Sequence, residues 1–437
     1  MLCRTVILAV SLGSLLSVSG LGTPEPTTLW TYNGILNPDD PLNAGIETLA
    51  GVQNLLVHNG SASGRSYAHH AIAEYISGTL YLAWSSGLID EDQNGQQTWI
   101  AQGSLSNEMS EWSFGEPRVV VGSALLTNQS EEANYTYWCD NNIVQRASQP
   151  NAVVPFEGEV YLITELVDIV CFAEGTSKYT VGAGRYIVPL SVPDEAGCWL
   201  SQTEYYTEHL YNQTSLSVDI CPELLMTGLS ALLERPDILP FTNARLINAG
   251  QFFASDGQTP LQEVTHAVWF DDGQGSGYWQ RFWRDVKGSN NSLVNWVEFT
   301  SDPKGADWFP NTFTPAQNSI YASNIPDSNT KSFYGSLGSS RNGSLAPTYL
   351  VHNPQYYPET RWRQPLALTI AHDGVHFEWS RVLRTNGSTH IVPDTRGIKR
   401  VGFSYPHATL VGDELVVAYS EDKENIWISR VSLSSLG

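Results

Sequence analysis

Short apolar runs that alternate with polar positions at a period of two fill most of the chain after Ser66, which predicts strands rather than helices. Turn-forming pairs separate them at Gly78-Thr79, Glu157-Gly158, Asp256-Gly257, Asp272-Gly273, Asp373-Gly374 and Gly412-Asp413. Helical spacing is confined to Pro222 to Glu234, where Leu224, Leu225, Leu229, Leu232 and Leu233 form one stripe that Pro236 ends. Three stretches share a grammar: Tyr67 to Gln96, Gln149 to Leu166 and Tyr405 to Glu421. In each, a polar residue precedes Ala, an extended segment runs to Gly and a polar residue, and an apolar strand follows.

Related starts stand at His70-Ala71, Asn151-Ala152, Asn243-Ala244 and His407-Ala408. A repeat of about fifty residues per unit predicts an all-β chain, a six- or seven-bladed β-propeller of four-stranded antiparallel blades. In such a ring the innermost strand of each blade turns its first residues toward the central channel. His69, His70, Gln149, Asn151, Asn243, Arg245, Tyr405 and His407 hold those positions. Neighbouring strand residues point to opposite faces, so only one of His69 and His70 is expected in the pocket.

Residues 1–20 read as a secretory signal, with a basic start at Arg4, an apolar run from Val6 to Leu16 too short for a bilayer, and small residues to Gly20. Residues 21–65, rich in Pro, Gly and Asn, read as an irregular arm, and residues 66–437 as the propeller with a disulfide-bearing insertion around 190–236. Cys139, Cys171, Cys198 and Cys221 remain after the signal, an even number that suits two disulfides in an oxidising compartment, with all three pairings open. Glycosylation sequons occur at Asn59, Asn128, Asn134, Asn212, Asn290, Asn342 and Asn386. Together these predict a secreted, extracellular, monomeric glycoprotein.

Charge narrows the partners. Acidic residues number 45 against 23 basic ones, a net charge of −22, and such a field repels nucleic acid and anionic membrane surfaces. The aromatic, Lys-poor remainder suits a glycan or oligosaccharide. No CxxC spacing supports zinc, and Asp-rich loops leave Ca²⁺ possible without any EF-hand-like spacing to support it, so no metal or other cofactor is expected.

The blocks from Tyr67 to Gln96, Ile325 to Phe377 and Phe403 to Leu433 resemble the sialidase-like superfamily of BNR-repeat propellers. Ala371 to Phe377, AHDGVHF, is similar to the Asp-box turn of that family, with Ala for Ser and Phe for Trp. The resemblance implies a carbohydrate-active propeller. In exo-sialidases three arginines grip the substrate carboxylate, an Asp serves as acid and a Tyr–Glu pair as nucleophile. The R-I-P-like motif of the first arginine is missing, and Ser66-Tyr67-Ala68-His69-His70 stands in its place, as in a divergent member. Other propellers of the wider group are lyases built on His, Tyr and Arg.

These residues define candidate chemistry. His69, His70 and His407 suit proton transfer near neutral pH, Tyr405 an acid, and Asp92, in the acidic run Asp90-Glu91-Asp92, a carboxylate for hydrolysis. Arg245 and Arg363 suit a bidentate grip on a carboxylate, with Asn151 and Trp84 completing the substrate contacts. The expected function is hydrolytic removal of terminal sugars from glycans by a sialidase-like glycoside hydrolase. A polysaccharide lyase cleaving uronate-containing glycans by β-elimination, and a non-catalytic glycan-binding or secreted interaction propeller, are the alternatives.

Overall fold

In the computed structural model the described strands form five antiparallel sheets arranged as blades, four of them strictly or nearly four-stranded. It describes residues 28–437 apart from 38, 41, 89–90, 92–94, 106–111, 126–144, 172–177, 192–196, 203–219, 239–251, 254–259, 272–275, 286–293, 306–307, 309–319, 339–344, 355–361 and 387–400.

The first blade runs outward through Tyr67–Ile76, Thr79–Gly87 and Gln97–Leu105 to Trp112–Phe114 and Arg118–Val121, which share its edge. The second comprises Gln145–Phe156, Glu159–Cys171, Lys178–Pro189 and Cys198–Gln202. In the third, Pro260–Gln262 and Val268–Asp271 together flank Gly277–Asp285, followed by Val294–Thr300 and Ile320–Pro326. The fourth is Phe333–Ser336, Thr348–His352, Leu366–Ala371 and Trp379–Arg384. The fifth is Phe403–Val411, Glu414–Glu421 and Asn425–Ser432, and its outer strand, Gln53–Asn59, comes from the other end of the chain.

The expectation of six or seven blades is therefore corrected to five. Inner strands begin at Tyr67, Gln145, Pro260, Phe333 and Phe403, so the repeat is far longer than fifty residues. The extra length lies in strands of 12 and 13 residues in the second blade, and in the segment after it that holds the helix.

Local chemistry accounts for the hairpins. Ser77 (φ 50°) with Gly78 (φ 89°), and Glu157 (φ 49°) with Gly158 (φ 88°), supply the two positive-φ residues that a tight type I′ turn demands. The Asp-box-like turn works through Asp373, whose Oδ1 accepts from the backbone N–H groups of Val375 (2.8 Å) and His376 (2.7 Å). It delivers Phe377 into full burial against Leu29 and Tyr334.

Because each inner blade face meets a neighbour, several strands are apolar on both sides. Glu414–Glu421 is buried throughout except at Glu414. Leu80, Leu82 and Trp84 of the first blade pack on Val416, Ala418 and Ile428 of the fifth, and Leu366 and Leu368 of the fourth meet Leu415 and Val417. Each such aliphatic side chain contributes about 1.5–3 kcal/mol through burial.

The helix predicted from the leucine stripe spans Glu223–Leu233 and buries Leu229 and Leu233 against the second blade. Cys198 and Cys221 form a disulfide across 23 residues just before it. Cys139 lies outside the described residues, and Cys171 ends a strand whose register pairs it with Lys178. Replacing Cys198 and Cys221 with Ser is expected to lower stability by about 3 kcal/mol, the loop-closure entropy of a chain segment this long. Urea denaturation of the double variant checks it, and an unchanged midpoint would contradict it.

Candidate functional site

The starts of the inner strands meet at one end of the channel, and the backbone is distorted there in a repeated way. Register slips between His69 and Ile72, between Pro150 and Ala152 and between Ser404 and His407 mark bulges in three blades. His70 (φ 56°), Glu263 (φ 55°), Asn329 (φ 57°) and Tyr405 (φ 52°) all adopt left-handed conformations without being glycine. Each costs on the order of 1–3 kcal/mol and persists only where surrounding contacts impose it. Bulges re-aim side chains.

This explains why both adjacent histidines, and not one, face the same centre. The His69 ring lies 4.2 Å from the Tyr405 ring and 4.5 Å from that of His70, which is 5.2 Å from Tyr405. His69 Nδ1 pairs with Ser420 Oγ at 2.9 Å and His70 Nδ1 with Ser85 Oγ at 3.2 Å. Both Nε2 atoms are thereby left for other work.

Two ionic groups flank the rings. Glu91, from the loop after the second strand of the first blade, accepts from Lys423 Nζ at 2.6 Å and stands 3.8 Å from His70 Nε2. Lys423 is buried in the turn that follows Glu421. On the other side the Tyr405 hydroxyl donates to Glu263 Oε1 and accepts from Arg284 Nη1 at 3.0 Å. Arg284 also pairs with Glu263 and donates through Nε to Asn329 Oδ1 at 2.8 Å. Arg363 holds Ser404 Oγ at 3.0 Å and places its guanidinium 5.6 Å from the Tyr405 ring centre.

Burial and charge set the protonation states. Burial raises the Glu91 carboxyl, but Lys423 and His70 outweigh it and hold the group at about 2. Glu263 is likewise held low, because Arg284 and the Tyr405 hydroxyl overcome its burial. Burial, reinforced by Glu263, pushes the Tyr405 phenol up, so it keeps its proton. Burial lowers His70 to about 4 despite Glu91, and lowers His69 well below the ordinary imidazole value with help from His70 and Lys423. The resting site thus holds neutral imidazoles, a protonated phenol and two carboxylates among Arg284, Arg363, Lys423 and Lys331, the last standing just before the inner strand of the fourth blade, where its charge acts on His70 and Glu263.

The residues singled out from sequence divide as follows. His69, His70, Tyr405 and Arg363 stand together. Asn151 is half-buried at the bulge of the second blade. Trp84 is instead fully buried in the core beside His58 and Trp99, because its strand has both faces covered. His407, two residues beyond the bulge, packs away from this centre on His266 and Phe333. Asp92 and Arg245 lie outside the described residues, as do the sequons at Asn128, Asn134, Asn212, Asn290 and Asn342; Asn59 and Asn386 are exposed. Glu263, Arg284, Lys331 and Lys423 were not anticipated. The one available signal is His266-Ala267, the same polar–Ala start as His70-Ala71, which marks the third inner strand.

The nearest ligand atoms of His69, His70 and Glu91 lie within 4.8 Å of one another, a donor set that a divalent cation could use. Lys423 already neutralises Glu91, and Arg284 and Arg363 add positive charge around the same rings, which disfavours a dication. Exhaustive chelation is expected to leave activity unchanged, and recovery of lost turnover on adding Zn²⁺ would contradict this.

Six described histidines, His58, His69, His70, His266, His352 and His407, are lowered from 6.5 chiefly by burial, four of them to about 3 or 4. The unfolded chain takes up protons on these rings near 6.5 and the folded chain only far lower, so their stabilisation is complete above 6.5 and is lost as pH falls toward 4. Burial raises Glu74 to about 8, Asp327 to about 7 and Glu298 as well, which acts in the opposite sense. Six imidazoles outweigh three carboxyls, and the melting temperature is expected to fall across that window.

The fold and site define a five-bladed β-propeller with a cation-rich, aromatic channel mouth. No protein-family profile and no curated protein matches the sequence. Among solved structures, the chain is similar to a leech intramolecular trans-sialidase, at 10% identity and a TM-score of 0.42 over 88% of this chain and 71% of that one. It is similar to Trypanosoma rangeli sialidase at 9% identity and a TM-score of 0.36, covering 88% of this chain and about 60% of the trypanosomal one. A family 117 glycoside hydrolase of the marine bacterium Zobellia galactanivorans matches at 9% identity and a TM-score of 0.37, over 89% and 93% of the two chains. The likeness is one of propeller fold and assigns neither residues nor substrate.

Proposed function

We propose that this chain is an exported glycan-processing enzyme that hydrolyses a terminal sugar carrying a carboxylate. One observation carries the reading: the Tyr405 hydroxyl donates to an ionised Glu263 while Arg284 contacts both. A phenol so placed becomes a nucleophile when its proton passes to the carboxylate. Tyr405 Oη attacks the anomeric carbon, Glu263 takes the phenolic proton, and the glycosidic bond breaks with a proton delivered to the departing oxygen by His70. Water then attacks the anomeric carbon of the tyrosyl glycoside and gives its proton to His70, while Glu263 returns the phenolic proton to the departing Tyr405 Oη, which restores all three groups.

Arg363 and Arg284 supply the grip on the substrate carboxylate, in a chain whose overall charge of −22 would otherwise repel it. A bound anion beside His70 favours its protonated form, which readies it as the acid. The Cys198–Cys221 disulfide supports an oxidising, extracellular setting.

Elimination is the second reading, and the neutral state of His70 favours it, since a neutral imidazole can remove the proton beside a uronate carboxylate while Tyr405 protonates the leaving oxygen. Incubation with sialylated and uronate-containing glycans separates the two. Reducing sugar without the ultraviolet absorbance of an unsaturated uronate supports hydrolysis, the absorbance supports elimination, and neither signal overturns both.

A further inference from the structure

Away from the channel mouth the rings of His266, Phe333 and His407 meet at 4.6–5.0 Å. Beyond them lies a cavity of about 450 Å³ that opens between the third and fourth blades. Its walls include Trp269, Trp279 and Tyr349, and its floor Glu74, from the far end of the inner strand of the first blade. Trp269 and Trp279 are half-buried and stand at 59° with ring centres 5.3 Å apart, forming two sides of a corner.

Glu74, Asp237 and Asp271 line the cavity, and no Lys or Arg among the described residues does. Asp237 is paired with Arg235 at 2.6 Å. Among the described residues the ion-pair contact of Glu74 is with His407 Nε2 at 3.8 Å, and burial together with His266 keeps that imidazole neutral. A carboxyl in this position lacks a counter-ion, and aromatic faces at an angle attract a cation that presents apolar surface.

We propose that this cavity binds an organic cation, an ammonium group seated between Trp269 and Trp279 with Glu74 as its counter-ion. The ligand is thus of the opposite charge to that taken at the channel mouth, and the proposal stands independently of the hydrolytic reading. Without the cation, burial lets Glu74 keep a proton up to about 8. An arriving ammonium supplies the missing charge and displaces that proton, so binding near neutral pH releases a proton to buffer. The other titratable groups at or beside the cavity are Asp237, Asp271, His266, His407, Tyr334, Tyr349 and Lys331, of which the two histidines are held neutral by burial and by the nearby Lys331 charge, and the two phenols are held protonated by burial.

The test is calorimetric titration of the full chain with choline, with glucose as the neutral control, in two buffers of different ionisation enthalpy. Saturable choline binding is expected, with an apparent enthalpy that differs between the buffers and with no binding of glucose. Glu74→Gln keeps the shape, and is expected to weaken choline at least about ten-fold and abolish the buffer dependence. Trp269→Leu should weaken it comparably while leaving Glu74 in place, and Tyr405→Phe, at the channel mouth, should not alter it. No choline binding, equal binding of glucose, or an unchanged affinity in Glu74→Gln would overturn the proposal.

Discussion

Tyr405→Phe is expected to reduce turnover of a carboxylated glycan by about 10³-fold or more while leaving the fold intact, because it removes the proposed nucleophile together with only its hydrogen bonds to Glu263 and Arg284. The ring that stacks against His69 remains, and Arg284 still pairs with Glu263, so no buried charge is left alone. Substrate binding should change little, since Arg363 and Arg284 persist. Steady-state kinetics and a melting curve decide it. A variant that keeps wild-type kcat would remove Tyr405 from the chemistry, and one that fails to fold would instead show that the hydroxyl holds Glu263 in its strained backbone conformation.

The largest expected loss of stability lies elsewhere, at Arg281→Ala in the third blade. Arg281 Nε donates to Glu298 Oε2 at 2.8 Å, Trp283 Nε1 donates to the same oxygen at 2.8 Å, and the guanidinium stacks 3.7 Å over Trp308. Glu298 is completely buried, and burial already raises its pKa against the pull of Arg281. Removing the arginine strands that carboxyl and uncovers the indole, at about 3–5 kcal/mol. Adding Glu298→Leu should recover part of the loss, because it removes the stranded carboxyl while the space left over Trp308 stays unfilled. Chemical denaturation of the single and double variants tests both statements, and equal instability of the two would show that packing on Trp308 dominates.

How much of this could be read from the chain alone depended on whether a feature was local. Strand content and hairpins were legible because alternation and the pairs at Gly78, Gly158 and Gly412 are short-range signals. The blade count was not. It requires a period, and insertions between the second and third inner strands hide it, while the polar–Ala start of the third blade sits at His266 rather than where Asn243 suggested. At the site, Tyr405, His69, His70 and Arg363 lie at or beside strand starts that the pattern could place. Glu263, Arg284 and Lys423 could not be found this way, since each comes from a bulge, a strand end or a turn that nears Tyr405 only once the ring closes. Nothing in the sequence marks His70 or Tyr405 as left-handed, for the usual mark would be glycine.

The strand Gln53–Asn59 gives the ring a clasp. Arg430 Nη1 donates to Gln53 Oε1 at 3.1 Å, and the backbone of Gly60 donates to Asn425 Oδ1 at 3.1 Å, joining residues 377 and 365 apart in the chain. During synthesis this early segment must wait for the last blade to emerge, so ring closure is a late event made of the most distant contacts, and slow for that reason. Once it forms, Gln53–Asn59 and the strands of the last blade belong to one sheet. The circle could then be opened at a different loop and rejoined here, with a different blade becoming the one that waits.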